Sequence, residues 1–220
     1  MIKALLFDFD GIIMDTESPA LRVWQDIFIG QGVDFPMDIW LRDVVGSTIA
    51  NFNPAAYLAS ATGRTFDLAA LQEQARISRL DVQSRLTELP GVVDMLTAAK
   101  RLHLWLAIAS SSPHQWVARY LRQLGLSETF NAVICREDVP AVKPAPDLFL
   151  TALLALGVGA SEALAIEDSP NGILAANRAG VRVVAVPNPV TKHADFTGAD
   201  LVLSSLADLK LEEILEKLEH

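Results

Sequence analysis

The sequence predicts an α/β fold in which a Rossmann-like parallel sheet core carries an inserted α-helical domain. Short apolar runs of the β type alternate with amphipathic helical patterns, which is typical of βαβ units around a parallel sheet. One long stretch without a strand pattern interrupts this alternation after the first run. The runs predicted as strands are Ile2–Phe7, Leu104–Ala109, Ala132–Cys135, Ala163–Ile166, Val181–Val186 and Leu201–Leu203.

Capping signals predict that two helices begin directly after strands. Ser112-Pro113 and Ser169-Pro170 each place a capping hydroxyl before a proline at the first helical position. Gly125 and Gly180 lie where these helices would end, because glycine readily adopts the left-handed conformation that terminates a helix. Both helices are therefore expected to start at the carboxyl end of a strand.

The interruption lies between Asp15 and Pro90-Gly91 and contains only helical patterns. We expect residues 1–15 and 90–217 to form the Rossmann-like core and residues 16–89 to form an inserted helical domain. In open α/β sheets ligands bind at the carboxyl ends of the strands, and the insertion follows the first of these ends. Its predicted helical segments are Pro19–Ile29, Ile39–Val44, Ala55–Thr62 and Leu68–Leu86.

The composition limits the possible partners. A net charge of -9 and a pI near 4.9 provide no basic surface for a nucleic acid or an anionic membrane. The single cysteine, Cys135, cannot form an internal disulfide, and no Cys/His spacing resembles a zinc site. No apolar run approaches the roughly 20 residues of a membrane span. We expect a cytoplasmic monomer that acts on a small molecule.

Polar segments follow the carboxyl ends of predicted strands at four places. Because such ends meet at one edge of a parallel sheet, the segments can converge on a single crevice. The crevice would combine carboxylates, a cation and hydroxyl or amide donors, which is the composition that phosphoryl transfer requires. The segments are Asp8-Phe9-Asp10-Gly11, Ser110-Ser111, Lys143-Pro144 and Glu167-Asp168-Ser169.

Each residue type in this crevice suggests a role. Asp8 would attack phosphorus and form an aspartyl phosphate. Asp10 points to the same side of the extended chain and would protonate the leaving oxygen, then deprotonate the attacking water. Lys143 and Ser110 would hold the phosphoryl group as a cation and a donor. Gly11 would let the backbone turn close to the phosphate.

Mg²⁺ is the expected cofactor, because hard oxygen ligands suit it and it commonly binds through carboxylates, phosphate oxygens and water. Asp8, Asp10 and Asp168 are the expected ligands. Glu167 would complete this shell either as a fourth ligand or as a carboxylate that supports the ligands.

Substrate contacts are expected from two regions. Ser111 and His114 lie close to Ser110 in the sequence, near the predicted phosphate cradle. Gly46-Ser47-Thr48 is small, polar and flanked by apolar runs, so we expect this loop to face the core and help select the substrate.

Other conspicuous residues need no ligand to explain them. Helix capping accounts for Ser112 and Ser169. Cys135 lies in an apolar strand and is expected to be a buried, inert thiol. Apolar faces or strands carry the four tryptophans, for which core packing is expected: Trp24, Trp40, Trp105 and Trp116.

The four segments resemble, in order, the four motifs of the haloacid dehalogenase superfamily, and the last extends through Ser169-Pro170-Asn171-Gly172. The resemblance spans nearly the whole chain. Asp15-Thr16-Glu17 and the insertion are similar to the branch with a small α-helical cap, which includes β-phosphoglucomutase and many sugar phosphate phosphatases. This resemblance implies a Rossmann-like core, a cap that closes over the substrate, and Mg²⁺-dependent hydrolysis of a small phosphorylated metabolite, with sugar phosphates as the leading class.

Departures from related motifs favour hydrolysis over the superfamily's other reactions. Its dehalogenases lack the second aspartate, which is present here as Asp10. Its phosphonatases use a cap lysine, whereas no lysine lies between Lys3 and Lys100. β-Phosphoglucomutases carry a histidine where this chain has Ala20 and an arginine where it has Thr48-Ile49. Both departures favour hydrolysis, and phosphoryl transfer of the mutase type is the alternative.

A hypothesis of another class is a non-catalytic module that binds a phosphorylated metabolite. Retention of both Asp8 and Asp10 argues against it, because two extra negative charges weaken anion binding unless a cation compensates. A dinucleotide-binding enzyme is disfavoured because no G-x-G-x-x-G follows a predicted strand.

Overall fold

The computed structural model describes residues 1–43 and 52–219, which divide into two compact units. Met1–Met14 and Thr87–His220 form an α/β unit, and Asp15–Leu86 forms a helical unit. The α/β unit contains one sheet whose paired strands are all parallel. Its strands are β1 (Ala4–Phe7), β2 (Trp105–Ala109), β3 (Ala132–Ile134), β4 (Ala163–Glu167), β5 (Arg182–Ala185) and β6 (Leu201–Val202).

The strands lie in the order β3-β2-β1-β4-β5-β6, which confirms the predicted fold class. The chain adds β2 and β3 on one side of β1 and then places β4 on the other side. Successive connections therefore diverge between β1 and β4, and this divergence opens the crevice in which doubly wound folds bind ligands.

Both faces of the sheet are buried, as parallel strands require. Ala4 and Leu6 point into a core formed with helices on one face, and Leu5 and Phe7 between them are also fully buried on the other. The apolar runs of β1 and β4 are therefore continuous rather than alternating, and in β4 the run ends at Glu167, the last residue of the strand.

Helices connect the strands and form the second unit. Their bounds are α1 (Ser18–Gly30), α2 (Met37–Asp43), α3 (Pro54–Thr62), α4 (Leu68–Gln83), α5 (Val92–Arg101), α6 (His114–Gln123), α7 (Asp147–Leu156), α8 (Pro170–Arg178) and α9 (Leu211–Glu219), with short 3₁₀ turns at Arg136–Asp138 and Ala160–Glu162.

The two predicted Ser-Pro helix starts differ. The hydroxyl of Ser169 accepts a hydrogen bond from Gly172 N at 3.1 Å, which confirms the predicted cap of α8. The predicted cap at Ser112 was wrong, because α6 begins after Pro113 without a side-chain cap. The hydroxyl of Ser112 instead donates to Asp10, a residue far away in the sequence.

The helical unit is built on a cluster of aromatic rings. Phe28 packs edge-on against Phe35 at 5.2 Å between centroids, and Phe35 packs against Trp40 at 5.4 Å. Trp40 is buried as predicted, whereas Trp105 is 49% exposed because it is the first residue of β2. None of the helices in residues 1–43 and 52–219 has both the length and the apolar character that crossing a bilayer requires.

Candidate active site

The register between β1 and β4 brings the first and last polar segments together. Phe7 lies opposite Ile166, so Asp8 and Glu167 are the next residues on neighbouring strands. The ladder continues past β1, since Asp8 N donates to Ile166 O at 2.9 Å. The backbone of Asp8 is therefore fixed by the sheet.

Lys143 joins these two carboxylates. Its ammonium donates to Asp8 Oδ1 and lies 2.6 Å from Glu167 Oε1, and all three side chains are buried. The ring of Phe149 in α7 faces the same ammonium at 5.3 Å from its centroid. The structure thus brings together three residues that the sequence places in separate motifs.

The electrostatics of this group reflect an excess of carboxylates. Burial raises the pKa of Asp8, and the neighbouring carboxylate of Glu167 adds to the increase, although the ammonium of Lys143 opposes it. Burial alone would lower the pKa of Lys143, but Asp8 and Glu167 raise it above its ordinary value. Lys143 is therefore a permanent cation, and Asp8 retains a proton more readily than an exposed aspartate.

Asp168 is held by a residue that sequence reasoning missed. Asn188 Nδ2 donates to Asp168 Oδ2 at 2.5 Å, and both residues are buried. Asn188 belongs to no predicted motif, but it follows the predicted strand Val181–Val186. The signal that found the other segments, a polar residue just beyond a strand's carboxyl end, could have identified it.

Gly11 provides the space that Asp168 occupies. A Cβ at this position would lie 2.0 Å from Asp168 Oδ2 and 2.6 Å from Asn188 Nδ2, and the residue has a φ of +85°. Both the close approach and the left-handed conformation therefore require glycine. Its role as a substrate contact stays a prediction.

Glu167 is fully buried and tied to the start of α8. Its Oε2 accepts hydrogen bonds from Asp168 N at 3.1 Å and Ser169 Oγ at 3.3 Å. A Cβ on Gly172 would lie 1.9 Å from this carboxylate, so the first turn of α8 can approach it only without a side chain. With one oxygen on Lys143 and the other on these donors, Glu167 is better placed to support the site than to bind a ligand directly.

Three acidic side chains lie close enough to share a cation. Among the described residues, Asp8, Glu167 and Asp168 form a group whose candidate ligand oxygens all lie within 4.8 Å of one another. Lys143 contacts two of these three buried carboxylates, those of Asp8 and Glu167, and carboxylate oxygens are the ligands that Mg²⁺ prefers. The residues present therefore fit a divalent cation.

The carboxylate of Asp10 receives two donors from around the start of α6. Ser112 Oγ donates to its Oδ2 at 2.6 Å, and Trp116 Nε1 donates to its Oδ1 at 2.8 Å. The sequence had predicted only core packing for Trp116. The predicted part of Asp10 in metal binding stays a prediction.

The remaining predicted contacts have different surroundings. Ser110 is buried and its Oγ accepts from Ser112 N at 3.1 Å, whereas the buried Oγ of Ser111 has no hydrogen-bond partner within residues 1–43 and 52–219. His114 Nε2 lies 2.7 Å from Asp138 Oδ2, which gives this ring a structural partner. Gly46, Ser47 and Thr48 lie outside the described residues.

Named proteins similar to this chain include phosphatases and a phosphomutase. The chain is 42% identical over 99% of its length to YhcW of Bacillus subtilis (strain 168), named as a candidate phosphatase, and covers 98% of that protein. It is 31% identical to hexitol phosphatase B of Escherichia coli (strain K12), with 97% of each chain covered. It is also 31% identical to the beta-phosphoglucomutase of Bacillus subtilis (strain 168), with 100% of this chain and 96% of the relative covered.

Solved structures and a family model agree with these relatives. The crystal structure of CbbY from Rhodobacter sphaeroides in complex with phosphate matches over 100% of both chains, with a TM-score of 0.72 and 28% identity. The family model for haloacid dehalogenase-like hydrolases matches residues 5–186, which include Asp8, Lys143 and Asp168. Because this match covers most of the chain and includes its buried charged site, the chain belongs to the haloacid dehalogenase-like hydrolase family.

Proposed function

We propose that the protein is a Mg²⁺-dependent phosphatase that hydrolyses a small phosphorylated metabolite through an aspartyl phosphate on Asp8. The observation that carries the proposal is the buried contact of Asp8 with Lys143, beside the carboxylates of Glu167 and Asp168. A fixed carboxylate next to a permanent cation suits nucleophilic attack on a phosphate ester. The phosphatase names of the relatives support the same activity.

The reaction proceeds in two displacements at phosphorus. An oxygen of Asp8 bonds to phosphorus as the bond to the ester oxygen breaks, and Asp10 gives its proton to that leaving oxygen. Asp10 then takes a proton from a water molecule whose oxygen bonds to phosphorus while the bond to Asp8 breaks. The two steps regenerate both carboxyl groups and release inorganic phosphate.

The chain's own charges organise these steps. Lys143 offsets the negative charge of Asp8 and of the phosphoryl oxygens, and Ser110 and Ser111 provide hydroxyl groups for the phosphoryl oxygens. Asp8 and Asp168, with Glu167 behind them, would hold Mg²⁺. The bound ion would supply charge neutralisation for the phosphoryl group as negative charge develops during transfer.

Sugar phosphates are the proposed substrate class, and residues 16–89 are the proposed cap that selects among them. Similarity to a protein named hexitol phosphatase B supports the class. A second candidate is phosphoryl transfer of the β-phosphoglucomutase type, which similarity to a protein of that name favours. Ala20 and Thr48 stand where the sequence motifs of mutases carry histidine and arginine, so we place hydrolysis first.

We further propose that the protein acts as a cytoplasmic monomer. The acidic composition and the single buried cysteine fit a reducing compartment without a polyanionic partner. Light scattering of the purified protein tests the oligomeric state, and fractionation of the source cells tests the location.

Phosphate release from a panel of esters tests the proposed activity. The panel contains sugar phosphates, glycolate phosphate, nucleotides and p-nitrophenyl phosphate, each assayed with Mg²⁺ and with a chelator. A coupled assay for glucose 6-phosphate formed from β-glucose 1-phosphate runs in parallel. Mg²⁺-dependent release supports a phosphatase, isomer formation without release identifies a mutase, and inactivity in both assays favours the binding-module hypothesis.

Substitution of the nucleophile tests the covalent step. Asp8→Asn nearly preserves the side-chain volume but removes the attacking charge, so we expect kcat to fall by about 10⁴-fold or more with the fold retained. Asp94→Asn, in the exposed first turn of α5, is the matched control and should retain activity. Wild-type turnover by Asp8→Asn, with circular dichroism unchanged, would exclude the aspartyl phosphate.

A further inference from the structure

Asp10 is the group to which the proposed function assigns proton transfer, and its two carboxylate oxygens each receive a separate donor. We propose that Trp116, together with Ser112, is a positioning residue that aims the carboxyl group of Asp10 at the leaving oxygen. This inference rests on the proposed phosphatase activity, and it assigns a catalytic consequence to a tryptophan that the sequence presents only as a core residue.

The geometry fixes the plane of the carboxyl group. A single donor would leave the side chain of Asp10 free to rotate about that contact, whereas donors at 2.6 Å and 2.8 Å on different oxygens define its orientation. Charged acceptors also make stronger hydrogen bonds than neutral ones. The pair therefore restrains the carboxyl group to a narrow range of directions, which proton transfer to a bound ester requires.

Trp116 is itself held by a rigid neighbour. Its indole packs edge-on against the ring of Tyr120 one turn later in α6, with 4.8 Å between centroids, and Tyr120 is fully buried. The donor is thus anchored to a helix that packs in the α/β unit. Ser112, just before the same helix, supplies the second donor, so one element determines both contacts.

The two donors are chemically different. An indole N–H can only donate, whereas a hydroxyl can donate or accept. Trp116 can therefore contact Oδ1 of Asp10 only as a donor, whereas the hydroxyl of Ser112 can also accept. The pair would thus determine the direction of the carboxyl group.

The same hydrogen bonds would be present if Trp116 and Ser112 only held α6 to the loop after β1. The test must therefore compare esters whose leaving groups differ in their need for a proton. Alkyl phosphates release an alcohol that needs a proton, whereas p-nitrophenyl phosphate releases a stable anion that does not. The value of kcat/KM covers the steps up to departure of this group and excludes the later hydrolysis of the aspartyl phosphate.

The variant is Trp116→Phe, which removes the N–H and keeps an aromatic ring against Tyr120. We expect kcat/KM to fall about tenfold or more for benzyl phosphate and for the best sugar phosphate of the panel, but less than about threefold for p-nitrophenyl phosphate. Ser112→Ala should show the same selectivity, and Ser112→Thr, which keeps the hydroxyl, should restore most of the loss. Trp105→Phe, at a half-exposed strand end, is the matched control and should change neither value.

Thermal unfolding of each variant distinguishes loss of the fold from loss of the orientation of the Asp10 carboxyl group. Equal losses for alkyl and aryl esters in Trp116→Phe, or no loss for either, would overturn the positioning role while leaving the phosphatase intact. Failure of the proposed function has a different signature, since the wild-type protein would then release no phosphate from any ester in Mg²⁺. If Trp116→Phe unfolds, the inference is tested with Ser112→Ala and Ser112→Thr. Their kcat/KM values for alkyl phosphates and for p-nitrophenyl phosphate are then compared in the same way.

Discussion

The ammonium of Lys143 touches both Asp8 and Glu167 in a region from which water is largely excluded. Buried ion pairs seldom add stability, because the loss of hydration offsets most of their attraction. The arrangement is therefore better explained by chemistry than by folding. A cation fixed beside a carboxylate reduces the electrostatic repulsion that a second anion meets when it binds. A phosphate ester is such an anion.

Cys135 offers a pH-dependent prediction for a single residue. Its side chain is fully buried, and burial, with Asp138 and Glu137 adding, raises its thiol pKa from 9.0 to about 12. We expect Ellman's reagent to leave the native thiol unlabelled at pH 7–9 while labelling denatured protein faster as the pH rises. The raised pKa also means that the unfolding free energy falls as the pH rises above 9.0.

The measurement compares labelling rates of native and guanidinium-unfolded protein across that pH range. A native thiol that reacts as fast as the unfolded one would contradict the burial. The protein has no other cysteine, so each rate belongs to Cys135 without the need for a variant.

Sequence patterns identify some residues of the site and not others, for a physical reason. Asp8, Lys143 and Asp168 stand in short motifs just after apolar runs, so local patterns find them. The position of Asn188 just beyond a strand could have marked the residue itself, but its partner, like that of Trp116, lies more than 15 positions away and is not recorded in the neighbouring sequence. Pairings of this kind become visible only when the fold brings the partners together.

Helix α8 shows how one element depends on the carboxylate beneath it. Gly172 lies in its first turn, where alanine would ordinarily improve helix stability by up to about 1 kcal/mol. A Cβ there would lie 1.9 Å from the buried carboxylate of Glu167, whose own position is fixed by Lys143. The steric conflict should outweigh the gain in helix propensity.

We therefore predict that Gly172→Ala lowers the unfolding free energy by about 1–3 kcal/mol and reduces phosphatase activity by displacing Glu167. Denaturant unfolding measures the first effect. Gly30→Ala is the control, because this residue ends α1 with open space where a Cβ would lie, and the substitution should be neutral or slightly stabilising. Equal unfolding free energies for the two variants would mean that the structure accommodates a Cβ at position 172 beside Glu167 without a loss of stability.

The two Ser-Pro segments show why the approximate start of a helix is easier to predict from sequence than the hydrogen bond that a particular serine makes there. Both serines lie at the carboxyl end of a strand and both precede a helix, so local sequence treats them alike. Ser169 caps α8, whereas the hydroxyl of Ser112 donates to Asp10, and the first N–H of α6, that of His114, donates to Glu137 instead. The acceptor for the hydroxyl of Ser112 is the carboxylate of Asp10, which the loop after β1 supplies, and only the tertiary structure brings it to this position.

At the scale of the whole molecule, the alternation of strands and helices was predictable because burial of the central strands on both faces leaves continuous apolar runs. The order of the strands in the sheet was not, because pairing depends on contacts between runs that look alike. The site is nonetheless a property of that order. The neighbouring positions of β1 and β4 place Asp8 beside Glu167, and a different order would separate the same motifs.

Metal binding gives a prediction for the stability of the whole protein. A cation that binds only the folded state at a hundredfold excess over Kd raises the unfolding free energy by about 2.7 kcal/mol, or about 5–11 °C in Tm for a chain of this size. We expect Mg²⁺ to produce such a shift relative to a chelator at equal ionic strength. Asp168→Asn should lose the shift and Asp94→Asn should keep it.

Differential scanning fluorimetry of the three proteins, with and without Mg²⁺, provides the comparison. A shift of the same size in Asp168→Asn would place the ion elsewhere, and no shift in the wild-type protein would remove the proposed cofactor.

The chain leaves the α/β unit after Met14 and returns to it at Thr87, and these two crossings are adjacent. Leu89 N donates to Ile13 O at 2.9 Å, so the outgoing and returning segments are hydrogen-bonded to each other. We therefore expect that residues 15–86 can be exchanged, shortened or lengthened while the strands of the sheet keep their pairing. Under the proposed function, such a junction would let a change in the helical segment alter the substrate while the charged residues of the α/β unit stay the same.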